Sequence, residues 1–270
     1  MILLTDIHKK FNADTVNEVY ALQDINLEIK EGEFVTIIGT NGSGKSTLLN
    51  MIAGTIPADT GSIFINNKDV THKKDFERAH SIARVFQNPF MGTAPDMTIA
   101  ENLLIASLRG QKHLLRMGLS AKRLAFFRDQ VSRLEMQLED RLDNIIGSLS
   151  GGQRQAVSLL MAVIRRPDVL LLDEHTAALD PKSAAQIIKL TKAFVEEENL
   201  TTFMVTHSMQ QALELGSRTI MMHKGRIIDD ISAKEKKQLT VDDLLDKFAQ
   251  LRKTEKLTDE MIEQLRREYM

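Results

Sequence analysis

The chain contains no cysteine, which excludes disulfides and thiolate metal sites and fits a reducing cytosol. Long apolar runs are missing too. The longest strongly apolar stretch, residues 159–164, is far below the roughly 18 residues of a membrane span. If the protein works at a membrane, a partner supplies the spanning helices. The short apolar start before Asp6, His8, Lys9 and Lys10 is not the pattern of a signal peptide, so none is expected. Charge of one sign is scarce: 35 basic against 37 acidic residues leave −2, with none of the basic excess that nucleic-acid binding needs. Neither an internal repeat nor a low-complexity segment is present. What is there is a 270-residue chain, 43% hydrophobic, enough for one large domain or one domain plus a small appendage.

Its patterning is that of an α/β protein. Residues 21–29 alternate apolar and polar side chains, which predicts a half-buried strand, and Glu31-Gly32 reads as a turn. Residues 34–38 form a continuous apolar run ending at Gly39, suited to a strand buried on both faces. Residues 46–53 have helical character, with Gly54 as the cap. Further strands are predicted at 62–65, 82–86, 169–172 and 201–206, and residues 95–142 read as helical. Segments 219–222 and 226–228 flank Lys224-Gly225 as a hairpin. Strands alternating with helices imply an α/β sheet with a helical insertion. In the tail, Thr240 and Asp243 form a capping-box pattern, and Val241, Leu244, Leu245, Phe248 and Leu251 share one helical face. Thr258, Met261, Ile262 and Leu265 suggest a second helix.

Gly39-Thr40-Asn41-Gly42-Ser43-Gly44-Lys45-Ser46 has the form G-x-x-x-x-G-K-[ST], and Thr47 follows it. Between a strand and a helix, that spacing predicts a nucleoside triphosphate site. Glycines let backbone N–H groups approach phosphate oxygens, and the helix directs its positive end at the same anion. Lys45 is expected on the outer phosphates and the Ser46 hydroxyl on Mg²⁺. The apolar run 169–172 ends in Asp173-Glu174. Asp173 is expected to hold Mg²⁺ through water, and Glu174 to polarise the water that attacks the γ-phosphate.

Leu149-Ser150-Gly151-Gly152-Gln153, on the same chain as that loop, resembles the signature of the ATP-binding cassette (ABC) ATPases. Small residues before a helix starting near Gln153 suit a triphosphate, here one bound by a partner subunit. Further elements resemble the family in order. Gln87 resembles the glutamine that touches Mg²⁺ and senses the membrane partner. Asp180, in Ala178-Leu179-Asp180, resembles the loop that crosses the dimer near the catalytic acid. His207 resembles the histidine on the γ-phosphate. The resemblance covers roughly residues 1–230. It implies a P-loop NTPase of RecA-like core with an antiparallel β subdomain and an inserted α-helical subdomain, about 88–160, within a cassette at 1–232. A short C-terminal helical extension, 233–270, follows. It also implies ATP and Mg²⁺ as cofactors, Glu174, His207 and Gln87 as catalytic residues, and an ATP-bound homodimer.

By the same resemblance, integral membrane permease subunits are partners, and a substrate-binding lipoprotein or periplasmic protein is an indirect one. No nucleic acid is expected. The location implied is the cytoplasmic face of the cell membrane. Residues 86–101 resemble a bacterial importer group, for which amino acids are one cargo class. Export, lipoprotein release and a soluble non-transport role are the alternatives.

Several residues keep two readings. Phe11 and Tyr20 both qualify to stack on adenine, and the family pattern favours Phe11. His175 stands where many relatives carry proline, either as a tolerated change or as a titratable ring beside the catalytic acid. The other histidines, at 8, 72, 80, 113 and 223, show no spacing for a transition metal. Residues 105–133 carry Arg109, Lys112, Arg116, Lys122, Arg123, Arg128 and Arg133 against Asp129, seven minus one or +6. That segment is either a solvated face or a surface facing anionic headgroups or the permease. The tail is either a packing appendage or a dimerisation or regulatory element.

Overall fold

A computed structural model describes residues 1–111 and 118–253, without the side chains of 250–253. In chain order the elements are β1 (Ile2–Phe11), β2 (Val19–Ile29), β3 (Phe34–Gly39), α1 (Lys45–Ala53), β4 (Thr60–Ile65), β5 (Lys68–Asp69), α2 (Asp75–Arg78) and β6 (Ile82–Val85). Next come α3 (Ile99–Ser107), α4 (Ala121–Ser132), α5 (Gly151–Val163), β7 (Val169–Asp173), α6 (Pro181–Glu198) and β8 (Thr201–Val205). The chain continues with α7 (Met209–Glu214), β9 (Arg218–His223), β10 (Arg226–Ile231), α8 (Ala233–Lys236) and α9 (Val241–Lys253). It divides into two compact units. One comprises Met1–Leu49, Ala58–Asp69 and Phe203–Met270, the other Asn50–Pro57 and Val70–Thr202, so the division falls within α1 and β8.

The first unit carries an antiparallel sheet in the order β2-β1-β4-β5. Ile2 of β1 lies opposite both Ile29 and Ile65, and apolar side chains at alternate positions of β2 (Ile25, Leu27, Ile29) are buried. In β3 every residue is buried, as the unbroken apolar run predicts, and it pairs in parallel with β9 from Val35↔Arg218 to Gly39↔Met222. β9 and β10 pair antiparallel around Lys224 and Gly225, both with positive φ, which is the geometry of a tight hairpin turn. Thr240 caps α9 as expected: its N–H and hydroxyl donate to the Asp243 carboxylate, and it accepts from the Asp243 N–H. Leu244 and Phe248 are buried with Ile38, Met209, Ala212, Met221 and Ile231, so the described part of the tail packs on this unit. The predicted second tail helix and Leu251's side chain lie outside the described residues.

The second unit holds the parallel pair β6 and β7, in register from Ile82↔Val169 to Val85↔Leu172. Around them stand α3 to α6. α5 is buried on nearly all sides, which makes it the central helix of this unit. A buried cation fastens the end of α1. Arg78, 2% exposed, donates to the carbonyls of Met51, Ile52, Val70, Thr71 and Lys73. Helix C-terminal carbonyls lack intrahelical donors, and a guanidinium supplies several at once. Gly54 follows α1 with φ +85, the left-handed cap predicted for it. Among the described residues no helix is long and apolar enough to cross a membrane.

Candidate functional site

The phosphate-loop sequence is a tight bend between β3 and α1 in the first unit. Two of its glycines are required by the fold. A Cβ at Gly39 would meet the Met222 carbonyl oxygen at 2.2 Å, a consequence of the Gly39↔Met222 register. Gly44 has φ +98, and a Cβ there would meet the Ala21 carbonyl oxygen at 2.4 Å. The loop is tied down by Gly225 N–H on the Ser43 carbonyl (3.0 Å) and by Thr40 Oγ1 against His223 Nδ1 (3.2 Å). Lys45 Nζ arches back to the carbonyls of Gly39 (2.7 Å) and Thr40 (3.1 Å). Ser43 Oγ is buried without a hydrogen-bond partner among the described residues, and Asn41 and Ser46 are exposed. An ammonium poised over the loop, an unsatisfied hydroxyl and a helix N-terminus fit a bound polyphosphate.

In the second unit β7 ends in Asp173, and Glu174 follows with φ +47. A non-glycine residue held left-handed costs about 1 kcal/mol and persists only when its surroundings impose it. Ala177 N–H donates to the Glu174 carbonyl (2.9 Å). Arg84, in the predicted strand 82–86, was not among the expected site residues. Its guanidinium donates to Asp173 Oδ2 (2.6 Å) and Asn50 Oδ1 (2.5 Å), and stands over the Phe86 ring, 4.7 Å from its centroid. A charged residue inside a buried strand was the available signal. Arg84, Asp173, Asn50, Phe86 and exposed Gln87 line one cavity of about 680 Å³. Asp173, Gln87 and Ser46 offer a carboxylate, a carboxamide and a hydroxyl, the hard oxygen donors that suit Mg²⁺. Loop and strand end belong to different units.

The signature residues open α5. The helix begins at Gly151, two residues before the predicted start, because Ser150 is its N-cap. Ser150 Oγ accepts from Gln153 N–H, and Gln153 Oε1 accepts from Ser150 N–H, both at 3.2 Å. Ser150 and Gly151 are exposed and Gly152 is buried. A Cβ at Gly152 would meet Ser183 Oγ at 2.6 Å, whereas at Gly151 it would make only an ordinary contact with Leu179 at 3.7 Å. Beneath this end Arg154 donates to the carbonyls of Ile146, Gly147 and Leu149 and stacks on Phe90, 3.7 Å from its centroid.

Asp180 N-caps α6, accepting from Lys182 and Ser183 N–H at 3.1 Å, and hydrogen bonding chiefly from the Ser183 side chain holds its carboxyl below the usual range. His207 follows β8 and is half-buried. Phe11, 37% exposed, and Tyr20, 47% exposed, both remain open to a ring, with Lys9 and Lys10 over them. His175 is 1% exposed, and burial pushes its ring down to about 4, so it stays neutral near neutral pH and is silent there as a titratable group. Its Nε2 pairs with Thr191 Oγ1 (3.0 Å).

Two expectations need correction. The segment 105–133 is not one solvated basic face. Arg109 donates to the Ala162 carbonyl (3.0 Å), with burial lowering it to about 10, and Arg133 stacks on Phe194 and bonds Glu197. Lys112 and Arg116 lie outside the described residues. His8 does join a cluster, because the bulged β1–β2 pairing brings Asp6 and Asp24 to its ring at 3.3 and 3.2 Å. Arg226 pairs with Asp24 at 2.6 Å, so the group is a surface charge network.

Residues 22–177 match the family model described as ABC transporter. The chain is 42% identical to the tyrosine transport ATP-binding protein of Clostridioides difficile, over 92% of this chain and 98% of that one. An energy-coupling factor transporter ATP-binding protein of Streptococcus agalactiae is 34% identical, over 80% of this chain and 74% of that one. A dimeric post-hydrolysis ATP-binding cassette bound to ADP and Pi is 32% identical and superposes with a TM-score of 0.71, over 86% of this chain and 99% of that one.

Proposed function

This chain belongs to the ABC transporter family, as an ATP-binding cassette and ATPase subunit, and from that premise we propose that it powers a bacterial importer of amino acids from the cytoplasmic face of the membrane. The near full-length 42% identity to a tyrosine transport subunit carries the cargo class. We assign residues 1–232 to the cassette, with a helical subdomain at about 88–160, and 233–270 to an extension.

The residues divide the chemistry as follows. Phe11 stacks on the adenine, and the loop N–H groups from Gly39 to Thr47 and Lys45 bind the phosphates. Ser46, Asp173 and Gln87 would hold Mg²⁺, which when bound neutralises charge on the phosphate oxygens. Glu174 orients and polarises the attacking water, and His207 donates to the γ-phosphate. Ser150, Gly151, Gly152, Gln153 and Asp180 face the nucleotide held by a second copy, so that two copies complete two sites. The exposed N-terminus of α5 supports this, since its hydroxyl and bare backbone face outward. An apolar cavity of about 850 Å³ lined by Phe76, Phe86, Met91, Ile105 and Met161 supports docking of a permease helix, because Phe76 is 70% and Met91 69% exposed. A substrate-binding lipoprotein or periplasmic protein delivers the solute to that permease.

The absence of native cysteine makes the dimer directly testable. Asn41→Cys and Ser150→Cys, introduced with Glu174→Gln, should crosslink between copies when Mg·ATP is added and not with ADP. Failure to crosslink with ATP removes the shared site. With the permease in proteoliposomes, aromatic amino acids should stimulate hydrolysis. Stimulation by another solute class alone overturns the cargo.

A further inference from the structure

We infer that Gln155 is a positioning residue that ties the signature helix to the catalytic acid and to Gln87. The inference rests on the roles given above to Glu174 and Gln87. Gln155 lies on α5, five residues after the N-cap Ser150, and is 0% exposed. Its Nε2 donates to the His175 carbonyl (2.7 Å) and to the Phe86 carbonyl (3.1 Å). Two carbonyls can only accept, so the orientation of the carboxamide is determined: each N–H serves one of them. One carbonyl comes immediately after Glu174 and the other immediately before Gln87. Oε1 has no partner among the described residues, so only the two N–H bonds recommend a glutamine in this apolar helix.

The consequence is mechanical. Glu174 has a positive φ, and its turn is restrained on the far side by the His175 ring on Thr191, whose hydroxyl donates to the Ile187 carbonyl (2.8 Å). Gln155 restrains the same turn from α5. A displacement of α5, such as engagement of Ser150 by a second copy's nucleotide would produce, is therefore passed to both loops by one side chain.

The test uses the full-length chain, with kcat and KM for ATP, binding of a fluorescent ATP analogue and thermal melting as readouts. Gln155→Met keeps the volume and removes both donors. It should lower kcat about thirtyfold, with KM and nucleotide affinity changing less than about threefold. Gln155→Lys restores donation to both carbonyls and should stay within about fivefold of native kcat, although it melts earlier. A residue needed only for packing predicts the reverse order, Met above Lys, and that order overturns the inference. In the Glu174→Gln background, Gln155→Met should change residual turnover less than about fivefold, because of the two groups it positions the acid is already disabled and Gln87 alone remains. Additive losses defeat the inference while leaving Glu174 in its role. Near-native hydrolysis by Glu174→Gln alone defeats both. Should Gln155→Met not fold, Gln155→Leu takes its place, since its side chain has no polar hydrogen to donate. Its native turnover in a folded protein is equally fatal.

Discussion

The phosphate loop and the acidic end of β7 are held by opposite means. The loop owes its shape to backbone: Gly39 and Gly44 fill places where a Cβ would strike a carbonyl oxygen, and a helix N-terminus follows. The acidic end owes its shape to buried polar side chains. Arg84 grips Asp173, Gln155 holds the carbonyls beside Glu174 and Gln87, and His175 leans on Thr191. The signature end of α5 shares features of both. Gly152 is sterically required, but Gly151 is not, and the fold alone gives no reason for a glycine there. Backbone-determined sites bind a fixed shape, whereas side-chain-determined ones can be repositioned.

The sharpest way to break this comparison is Glu174→Gln. Hydrolysis should fall about 10³-fold with ATP affinity preserved, as a steady-state assay beside a binding titration will register. A near-native rate removes the acid from its role and leaves β7 as a merely structural end.

Acid should next unsettle the second region by way of His175. The folded ring stays neutral down to about 4, while the unfolded ring takes a proton near 6.5. Between those values the unfolded chain binds more protons, so stability is full above pH 6.5 and declines as pH drops towards 4, by about 3 kcal/mol. Urea unfolding at several pH values should show that slope, and His175→Met should flatten it. An unchanged slope shows that other groups carry it.

Gly44→Ala addresses the loop. A positive φ and an opposing carbonyl should together cost about 2 kcal/mol of folding stability, read by thermal melting. A variant that melts like the native chain contradicts the backbone account.

Gly151→Ala gives the smallest effect and the cleanest separation of fold from function. The helix should gain up to about 1 kcal/mol. With the site proposed above, hydrolysis should nevertheless drop about tenfold, because the new methyl would stand in the path of a second copy's triphosphate. Native turnover in this variant means that nothing docks there.

Much of this arrangement was legible in the residues themselves. The 34–39 strand, the loop, the capped α9, the Lys224-Gly225 hairpin and the Asp173-Glu174 strand end all follow from rules that act over a few positions: hard-sphere limits on φ and ψ, satisfaction of helix-end N–H groups, and the periodicity of apolar side chains. The start of α5 was misplaced by two residues because serine-glycine runs read equally well as loop and as cap plus first turn.

The order of the motifs was thus settled by the sequence alone, whereas the need for glycine at 39 and 44 comes from the Met222 and Ala21 carbonyls packed against them. Tertiary structure alone decided which buried polar groups meet: Arg84 with Asp173, Gln155 with two loops, Arg78 with the end of α1, Arg109 with α5. A buried donor must find an acceptor, but its own segment does not say which distant carbonyl that will be. The identity of the partner is a property of packing, and packing is where Glu174 acquires its setting.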